Sequence, residues 1–290
     1  MSVITIKSNE LTVSIKSFGA ELTSIKDNSG KEFLWQGNPK VWAGQAPVLF
    51  PIVSRLRNGS RPDVYTLNGK EYEMGLHGFA KISEFEVESQ RDDSVTFLLK
   101  SNDATRLQYP FDFEFRVVYT VDGRNLKVDF LTDNKSECDM YYSTGSHEAY
   151  SCPGGVGNYT VIFDEDENLD RYEVTAEGGI CEIPTPILRG EREIKLDDSY
   201  FAVDALIFFD VKSRGLSVRD DRTGDKIHVA YPGFDTLLIW TRPGAEYVCI
   251  EPWAGAPDLG WKKYDDFSEK YRIRTLKPNA REILTHTITF

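Results

Sequence analysis

The sequence predicts an all-β protein, a large antiparallel β-sandwich, and three observations support this fold class. Residues 11–16, LTVSIK, alternate apolar and polar side chains with a period of two, as a strand with one buried face does. Asn68-Gly69 and Asp122-Gly123 each separate two strand-like stretches and tolerate the positive φ that a tight hairpin turn requires. No segment longer than about ten residues keeps an apolar stripe at helical spacing.

The alternating pattern recurs along the chain, so strands are expected over most of its length. The further stretches lie at 85–89, 95–100, 113–121, 126–132, 160–163, 205–209, 216–220, 226–231, 236–241, 246–251 and 282–290. The acidic segment 164–170, DEDENLD, interrupts them. We expect a solvated loop there; a calcium site is the alternative, although the EF-hand spacing is absent.

Length and charge limit the domain count and the kind of partner. A chain of 290 residues might divide into two domains by length alone, but large all-β sandwiches often form one, and no linker-like stretch is present. We therefore expect residues 1–290 to form a single domain. With 34 Lys and Arg against 46 Asp and Glu, the formal net charge is −12, which argues against nucleic-acid or anionic-membrane partners.

The start of the chain and the cysteines indicate a cytoplasmic protein. Neither a signal-peptide pattern nor an apolar run long enough to cross a bilayer is present. Cys138, Cys152, Cys181 and Cys249 are spread widely without a CxxC pair, so neither a disulfide framework nor a zinc site is suggested. We expect reduced cysteines and no metal site.

Two histidines are candidates for chemistry. The motifs GxSxG, GxxxxGK[ST], GxGxxG and HExxH are absent, which argues against the commonest hydrolases, nucleotide-binding proteins and zincins. His77, in MGLHGFA, and His147, in STGSHEAYSCPGG, lie in glycine-bearing turns that can present an imidazole to a ligand. A purely structural role in the turn is the alternative for each.

The other two histidines have strand patterns around them. His228 alternates with Ile227 and Val229, so we expect it on the solvated face of its strand. His286 shares parity with Leu284 and Ile288, so we expect it to point into the core and form a hydrogen bond there.

Several carboxylates and arginines also lie at unusual places. Glu251, in VCIEPW, follows a buried-type run beside Trp253, and poorly solvated surroundings raise a carboxyl pKa in a way that suits proton transfer. Asp204 begins the apolar stretch VDALIFF and alone would pass for a loop cap. Arg55 and Arg57 follow the run PVLFPIV, where a guanidinium can bind a hydroxyl or carboxylate or simply form a surface salt bridge.

Aromatic residues make up 12% of the chain, and several share segments with these polar candidates. They are Trp35, Trp42, Tyr141, Tyr142, Tyr150, Trp253 and Trp261. Flat apolar faces beside carboxylates, arginine and imidazole suit a pyranose, which has apolar C–H faces and a polar rim. Core packing explains most aromatic residues in any chain, so the aromatic residues alone are a weak indication.

The ordered segments LFPIVSRLRNG, YTLNGKEYEMGLHGFA, STGSHEAYSCPGG, VDALIFFD and CIEPWAGAPD resemble the aldose 1-epimerase (galactose mutarotase) family, and its LacX-like bacterial branch most closely. The resemblance covers essentially the whole chain, and its most specific parts are LHGF and IEPWAG. It implies a β-sandwich of the galactose mutarotase type that interconverts the anomers of a free aldohexose such as galactose or glucose. It implies a small sugar as the partner, with no cofactor and no metal; it leaves the oligomeric state open.

The resemblance also implies roles for five residues. Glu251 matches the general base that takes the proton of the anomeric hydroxyl O1, and His147 matches the general acid that protonates the ring oxygen O5. His77 and Arg55 match residues that bind the sugar near the ring oxygen, and Asp204 matches a carboxylate that holds ring hydroxyls.

Two departures from the family pattern bear on the substrate. Glu148 follows the catalytic histidine where relatives usually have proline or serine, and it is expected either to raise the pKa of His147 or to face solvent. Ser54 stands where glycine is common. A hexose 6-phosphate mutarotase and a non-catalytic sugar-binding protein remain alternatives; with Arg55 and Arg57 as the clustered cations, no convincing phosphate pocket is expected.

Overall fold

The architecture is mostly antiparallel β-structure, as predicted. It is known from a computed structural model that describes residues 1–58, 60–175 and 179–290. The strands are β1 (Val3–Lys7), β2 (Leu11–Lys16), β3 (Glu21–Asp27), β4 (Val64–Leu67), β5 (Lys70–Glu73), β6 (Glu86–Gln90), β7 (Ser94–Lys100), β8 (Phe113–Asp122), β9 (Asn125–Asn134), β10 (Met140–Tyr142), β11 (Thr144–Gly145), β12 (Glu148–Ser151), β13 (Tyr159–Arg171), β14 (Thr185–Lys195), β15 (Leu206–Phe209), β16 (Gly215–Asp220), β17 (Lys226–Ala230), β18 (Thr236–Trp240), β19 (Tyr247–Ala254), β20 (Arg274–Leu276) and β21 (Arg281–Thr289).

Helices are short. The α-helix α1 (Asp103–Gln108) is capped by Asn102, whose side chain accepts a hydrogen bond from the Thr105 amide. Single 3-10 turns cover Ala80–Ile82, Val156–Asn158, Asp198–Phe201 and Phe267–Glu269. None of the helices in the described residues has the length and apolar character required to cross a bilayer.

Two sheets dominate the fold. The larger has nine strands in the order β14-β13-β16-β17-β21-β9-β8-β7-β6. The second has the order β11-β19-β18-β15, with β12 also paired to β19. The small sheets β1-β2-β3, β4-β5 and β10-β20 complete the strand pairing of the described residues.

Both predicted hairpins are present. Asn68 and Gly69, at φ of 51° and 75°, form the two-residue turn between β4 and β5. In the second hairpin Asp122 pairs with Asn125, so the turn residues are Gly123 and Arg124, one position later than the Asp-Gly dipeptide suggests.

The prediction of a loop at 164–170 is wrong, because this segment lies inside β13, and its residues 167–170 pair with β14. Residues 164–166 are exposed, as predicted. The pairing shifts register between Ile162 and Glu167, so the acidic run forms an irregular part of the strand. Glu167 is buried and accepts a hydrogen bond from the Ser213 amide at 2.6 Å. An exposed strand face tolerates a run of charges as easily as a loop does, which is why composition misled the prediction.

The core lies against one face of the second sheet, and the other face is also covered. Leu237 and Ile239 of β18 and Ile250 of β19 belong to the main hydrophobic cluster, which also includes residues of β2, β8 and β21. Residues of opposite parity, such as Leu238 and Trp253, pack in a separate, smaller cluster. Every residue of β19 is buried, so both of its faces lie against protein.

A buried ion pair holds the segment that follows β19. Lys270 Nζ lies 2.9 Å from Asp258 Oδ1, and both side chains are almost fully buried. Asp258 also accepts hydrogen bonds from the Arg57 amide at 2.6 Å and the Tyr264 hydroxyl at 3.2 Å. Since these contacts join 55–58 to 256–270, the pair fixes the loops that surround the end of β19.

Removing the cation of this pair should destabilise the fold. In Lys270→Met the Asp258 carboxylate stays buried without its charge partner, and we expect the free energy of unfolding to fall by about 3 kcal/mol. Urea denaturation at pH 7 measures the change. Lys277→Met, which breaks the exposed Lys277–Asp139 pair, is the matched control and should cause little change. Equal stability of the two variants would show that the buried pair does not hold these loops.

Candidate active site

Strand alternation determines which side chains of β19 reach the outer face of the second sheet. Since Ile250 points into the main core, Cys249, Glu251 and Trp253 point the other way. In the paired strand β18, Leu238 lies opposite Glu251 and Trp240 opposite Cys249. Leu238, Trp240, Glu251 and Trp253 form the floor of a cleft.

His147 reaches the same floor from the other side of β19. Gly145 of β11 pairs with Trp253, and Glu148 of β12 pairs with Ile250. His147 lies between these two pairs, and continuing the same register places it directly opposite Glu251. Side chains at directly opposite positions of neighbouring strands are in contact. His147 Nδ1 lies 3.4 Å from Glu251 Oε1. The two residues are 104 positions apart in sequence but face each other because of this register.

The surroundings of His147 are aromatic. Its ring stacks on Trp42 with ring centroids 5.2 Å apart and contacts Trp240 edge-on at 5.6 Å. Nδ1 is buried and makes no hydrogen bond with the described residues. Burial lowers the pKa of His147 to about 4, although smaller effects, which include the charge of Glu148, act to raise it. The imidazole is therefore neutral near pH 7.

The pKa of Glu251 is shifted in the opposite direction. Its side chain is 2% exposed. Burial first, and then the negative charges of Asp204 and Glu148, raise its pKa well above the usual range of a glutamate. The expectation of a raised carboxyl pKa from the sequence VCIEPW is therefore met by this environment.

His77 enters the cleft from a strained turn. Its backbone has a φ of 61°, and its amide donates to the Ser54 carbonyl at 2.8 Å. The Ser54 amide donates to His77 Nδ1 at 3.0 Å, so the proton of the neutral ring lies on Nε2. The ring is perpendicular to that of His147, with centroids 5.6 Å apart. Burial, then the nearby His147 and Lys81, lower the pKa of His77 well below its usual value.

Asp204 lies at the rim of the cleft. It follows the 3-10 turn Asp198–Phe201 and precedes β15, and its side chain accepts a hydrogen bond from the Ala205 amide at 2.9 Å. The residue is exposed, yet partial desolvation raises its pKa. Because it stands at an open edge, its free oxygen can accept a hydrogen bond from a bound hydroxyl.

Four of the five predicted site residues converge on one cleft of about 350 Å³: His77, His147, Asp204 and Glu251. The described lining also includes Trp42, Pro47, Ser54, Leu76, Lys81, Val174, Ala205, Ile207, Leu238, Trp240, Arg242, Trp253 and Pro257. A cavity of this size, with tryptophan walls and a few polar groups, suits a small amphipathic ligand.

Arg55 is the predicted site residue that does not line this cleft. Its guanidinium is paired with Asp63, and its neighbour Ser54 takes the lining position. Arg55 still lies close enough for its charge to lower the pKa of His77, after the larger effects of burial, His147 and Lys81. Its charge therefore acts on the cleft without direct contact with the cavity.

The expected aromatic surface comes partly from other residues. Trp42 and Trp253 line the cleft, but Tyr142 and Tyr150 lie in the main core and do not contribute to its lining. Trp240, which alternation places on the cleft face of β18, was not among the candidates.

Sequence reasoning also missed two cations of the lining, Lys81 and Arg242. Lys81 follows His77 by four positions in the segment HGFAK, and Arg242 comes just after the end of β18. Lys81 is close in sequence to the candidate His77, and Arg242 is close to Trp240, which strand alternation places on the same face as Leu238. Their closeness in sequence to His77 and Trp240 could therefore have predicted that they line the cleft.

Glu148 is neither solvated nor a direct partner of His147. It is buried, and its Oε1 lies 3.0 Å from Nε2 of the fully buried His286. Burial favours a higher pKa of Glu148, but the charge and hydrogen bond of His286 outweigh it and lower the pKa. The predicted core location of His286 is confirmed, while the expectation that Glu148 might face solvent is wrong. The half-exposed His228 pairs with Asp164 at 3.0 Å on the surface.

Cys249 completes the one described cluster of side chains that could hold a metal ion. The ligand atoms of His147, Cys249 and Glu251 lie within 4.8 Å of one another. Nitrogen, sulfur and oxygen ligands together suit a thiophilic divalent cation. Binding would require the thiol and the carboxyl to lose protons, and burial raises the pKa of both groups well above their usual values.

Comparison with known proteins identifies the family. Residues 2–260 match the sequence model described as aldose 1-epimerase. The chain belongs to the aldose 1-epimerase family. Among its relatives, the chromosomal protein LacX of Lactococcus lactis subsp. lactis is 36% identical over 263 residues, which cover 87% of each chain. Galactose mutarotase of Bos taurus is 25% identical over 190 residues, which cover 60% of this chain and 55% of that protein.

Solved structures confirm the galactose mutarotase type of fold for this family member. A galactose mutarotase related enzyme from Lactobacillus acidophilus has a TM-score of 0.91 and 34% identity, and the match covers 99% of this chain and 97% of that chain. A galactose mutarotase-like protein from Lactobacillus casei ATCC 334 also has a TM-score of 0.91, at 24% identity, with 99% of each chain covered.

The turn that presents His77 depends on a glycine beside it. A Cβ on Gly78, which has a φ of 70°, would lie 2.3 Å from the Phe50 carbonyl oxygen. We expect Gly78→Ala to displace this turn and to lower the free energy of unfolding by about 2 kcal/mol, measured by urea denaturation.

Gly75→Ala is the matched control, because a Cβ there meets nothing within 4 Å. This variant should keep wild-type stability. If Gly78→Ala were as stable as Gly75→Ala, the close approach of Gly78 to Phe50 would not constrain the turn.

Proposed function

We propose that this protein is a mutarotase that interconverts the α and β anomers of an aldohexose such as galactose or glucose by acid/base ring opening. The observation that carries the proposal is the facing pair of His147 and Glu251, 3.4 Å apart on the floor of a cleft. The pair supplies two proton-carrying groups, and the tryptophan walls offer flat apolar surface to the C–H faces of a pyranose.

Mutarotation requires a base at O1 and an acid at O5, and the aldose 1-epimerase resemblance implies Glu251 for the first role and His147 for the second. Glu251 takes the proton from the anomeric hydroxyl while His147 gives a proton to the ring oxygen, and the C1–O5 bond breaks to leave an open-chain aldehyde. Rotation about C1–C2 then presents the other face of the carbonyl. On closure the O5 hydroxyl attacks C1, His147 takes its proton, and Glu251 returns a proton to O1.

The pKa values of the pair bear on how this cycle begins. Ring opening needs an ionised Glu251 and a protonated His147, whereas ring closure needs the reverse. The raised pKa of Glu251 and the lowered pKa of His147 favour the closure-ready state in the free enzyme. Since the pair holds one proton in either state, the contact of Nδ1 with Oε1 offers a route by which that proton changes sides.

The remaining cleft residues position the sugar in this proposal. Asp204 accepts hydrogen bonds from ring hydroxyls at the rim, and His77 donates from Nε2, because its Nδ1 is occupied by the Ser54 amide. We also propose that residues 1–290 act as one domain, because strands from β2 to β21 contribute to one hydrophobic cluster.

Glu251→Gln is the direct test of the proposed base. The amide keeps the shape of the side chain but cannot accept the O1 proton, so we expect kcat for anomer exchange of glucose and galactose to fall roughly 10²- to 10⁴-fold. Polarimetry of freshly dissolved α-D-glucose and α-D-galactose measures it. Glu71→Gln, at an exposed position on β5, is the matched control and should keep the wild-type rate.

Two outcomes would contradict the proposal. If Glu251→Gln kept the acceleration, Glu251 would not be the base. If the wild-type protein bound sugars saturably in calorimetry without accelerating anomer exchange over buffer, it would be a non-catalytic sugar-binding protein.

The pH profile tests the single shared proton. Below about pH 4 His147 takes a second proton and the pair loses its base, so we expect kcat/KM for glucose to fall only there. Above the raised pKa of Glu251 the pair loses its last proton and activity falls again. Exchange spectroscopy by NMR, corrected for buffer catalysis, measures both limbs.

Asp204→Asn serves as the control for this profile, because it removes the other carboxyl of the cleft. The variant should bind sugar more weakly but keep the acid limb at the same pH. An acid limb near pH 6.5, the ordinary pKa of a histidine, would show that His147 is not the buried neutral group described above.

A further inference from the structure

A second cavity, of about 290 Å³, lies on the other face of the sheet that forms the floor of the cleft. Leu237 belongs to the main hydrophobic cluster and lines this second cavity, whereas the next residue, Leu238, lines the cleft. Successive residues of a strand point to opposite faces, so β18 separates the two cavities. No residue of the described ranges lines both of them. The second cavity is therefore called the inter-sheet cavity.

Two polar side chains line the inter-sheet cavity from neighbouring strands of the large sheet. Arg214 immediately precedes β16, and Tyr231 immediately follows β17. Gly215 pairs with Ala230, and the Tyr231 amide donates to the Arg214 carbonyl at 2.7 Å, so the pairing of the strands continues by one residue. Arg214 and Tyr231 are therefore directly opposite each other, where side chains of neighbouring strands are in contact.

Both side chains offer hydrogen-bond donors that the described residues leave largely unused. Tyr231 is 2% exposed, and its buried hydroxyl has no hydrogen-bond partner among the described residues. Buried polar groups without a partner cost free energy, and native proteins keep few of them. The Arg214 guanidinium donates to the Val211 carbonyl at 3.0 Å and has no carboxylate partner in the parts of the chain that the structure describes. The pair therefore presents one O–H and several N–H donors to a ligand.

The two carboxylates that line the cavity already contact other arginines. Asp210 Oδ1 lies 2.7 Å from Nη2 of Arg272, and Asp235 Oδ2 lies 3.4 Å from Nη1 of Arg274. Arg214 is thus the cation of the described lining that has no direct counter-ion. An anionic group on a ligand would supply that counter-ion and accept from the Tyr231 hydroxyl as well.

The start of β18 supplies an acceptor on the other wall. Asp235 Oδ1 accepts a hydrogen bond from the Gly255 amide at 3.1 Å, whereas the one contact of Oδ2 among the described residues is the long one to Arg274. Arg274 is held by two shorter hydrogen bonds to Glu282, at 2.9 and 2.7 Å. Since Arg274 is bound mainly to Glu282, Asp235 Oδ2 can accept a hydrogen bond from a ligand hydroxyl.

We propose that the inter-sheet cavity binds a small hydroxylated organic anion, at a site separate from the cleft. A carboxylate or phosphate group of the ligand accepts hydrogen bonds from Arg214 and Tyr231, and a ligand hydroxyl donates to Asp235 Oδ2. At about 30 Å³ for each water-sized group, the cavity has room for roughly ten non-hydrogen atoms. The inference goes beyond the proposed mutarotase activity and does not depend on it.

The test compares three probes that share a three-carbon skeleton and differ in charge. Glycerol is neutral, D-glycerate carries a carboxylate, and glycerol 3-phosphate carries a phosphate. Each is titrated into isotope-labelled protein at constant ionic strength in a buffer without phosphate, and NMR shifts of backbone amides give Kd. We expect at least one anion to bind at least tenfold more tightly than glycerol and to shift the amides of Tyr231 and Asp235. The tighter anion identifies whether a carboxylate or a phosphate is preferred.

Arg214→Gln and Tyr231→Phe test the two donors. Each should raise Kd for the preferred anion about tenfold, because each removes a charge-assisted hydrogen bond. Arg214 is exposed and the Tyr231 hydroxyl has no partner among the described residues, so urea denaturation without ligand should show that neither variant lowers stability. Weaker binding in a variant of unchanged stability is therefore a loss of ligand contact.

Arg242→Gln is the matched control, because it removes an exposed arginine that lines the cleft instead. This variant should leave Kd unchanged. If it weakened binding as much as Arg214→Gln does, or if the anion shifted the amides of His147 and Trp253 rather than those of Tyr231 and Asp235, the anion would bind in the cleft and the inference would be wrong.

Equal affinity for the three probes, or no binding of any of them, would also overturn the inference. The titrations measure binding without sugar turnover, so this result would leave the mutarotase proposal as it stands. Conversely, failure to accelerate anomer exchange would leave the anion site intact.

Discussion

The cleft depends on the register that places His147 opposite Glu251 across β12 and β19. Both side chains are buried, so each resists carrying a charge, and their pKa values move in opposite directions. The single proton of the pair therefore rests on Glu251 in the free protein, and both buried groups are uncharged. A shift of this register by one residue would send one of the two side chains into the main core.

The strands and the loops contribute different things to the site. Glu251, Cys249 and Trp240 sit on strands that are packed on both faces, so their positions are fixed by the sheet. His77, Lys81, Asp204 and Arg242 come from turns around it. Proton transfer requires fixed distances, whereas recognition of ligand hydroxyls tolerates variation in loops. The chemistry and the choice of substrate are therefore separated within one cleft.

How much the sequence could predict differed between local and long-range features. Alternation and turn residues predicted both hairpins and most of the longer strands, and the buried run before Glu251 indicated its raised pKa. They missed β1, β3, β14 and the short strands β10, β11, β12 and β20; β14, for example, is mostly exposed and has no apolar alternation. The aldose 1-epimerase resemblance brought His147 and Glu251 together, which no local pattern does, because the pairing of β12 with β19 is not encoded in either strand alone. Arg55 was matched in the same way, but its partner Asp63 became visible only in the structure. Lys81, Arg242 and the acidic part of β13 were missed because the positions of charged side chains depend on solvent exposure and on their partners. They do not recur with the sequence period of a strand or helix.

The buried Glu148–His286 contact has a consequence for how the site forms. It ties the residue next to His147 to β21, 138 positions further along the chain. Contacts between such distant segments require closure of a long loop, which costs conformational entropy before any interaction repays it. Strand β12, which directly follows His147 and pairs with β19, is therefore tied to the large sheet only once β21 is in place. A partly folded chain that already contains the β18–β19 hairpin would hold Glu251 in place while its partner imidazole was still unanchored, so catalytic competence should be among the last properties the chain acquires.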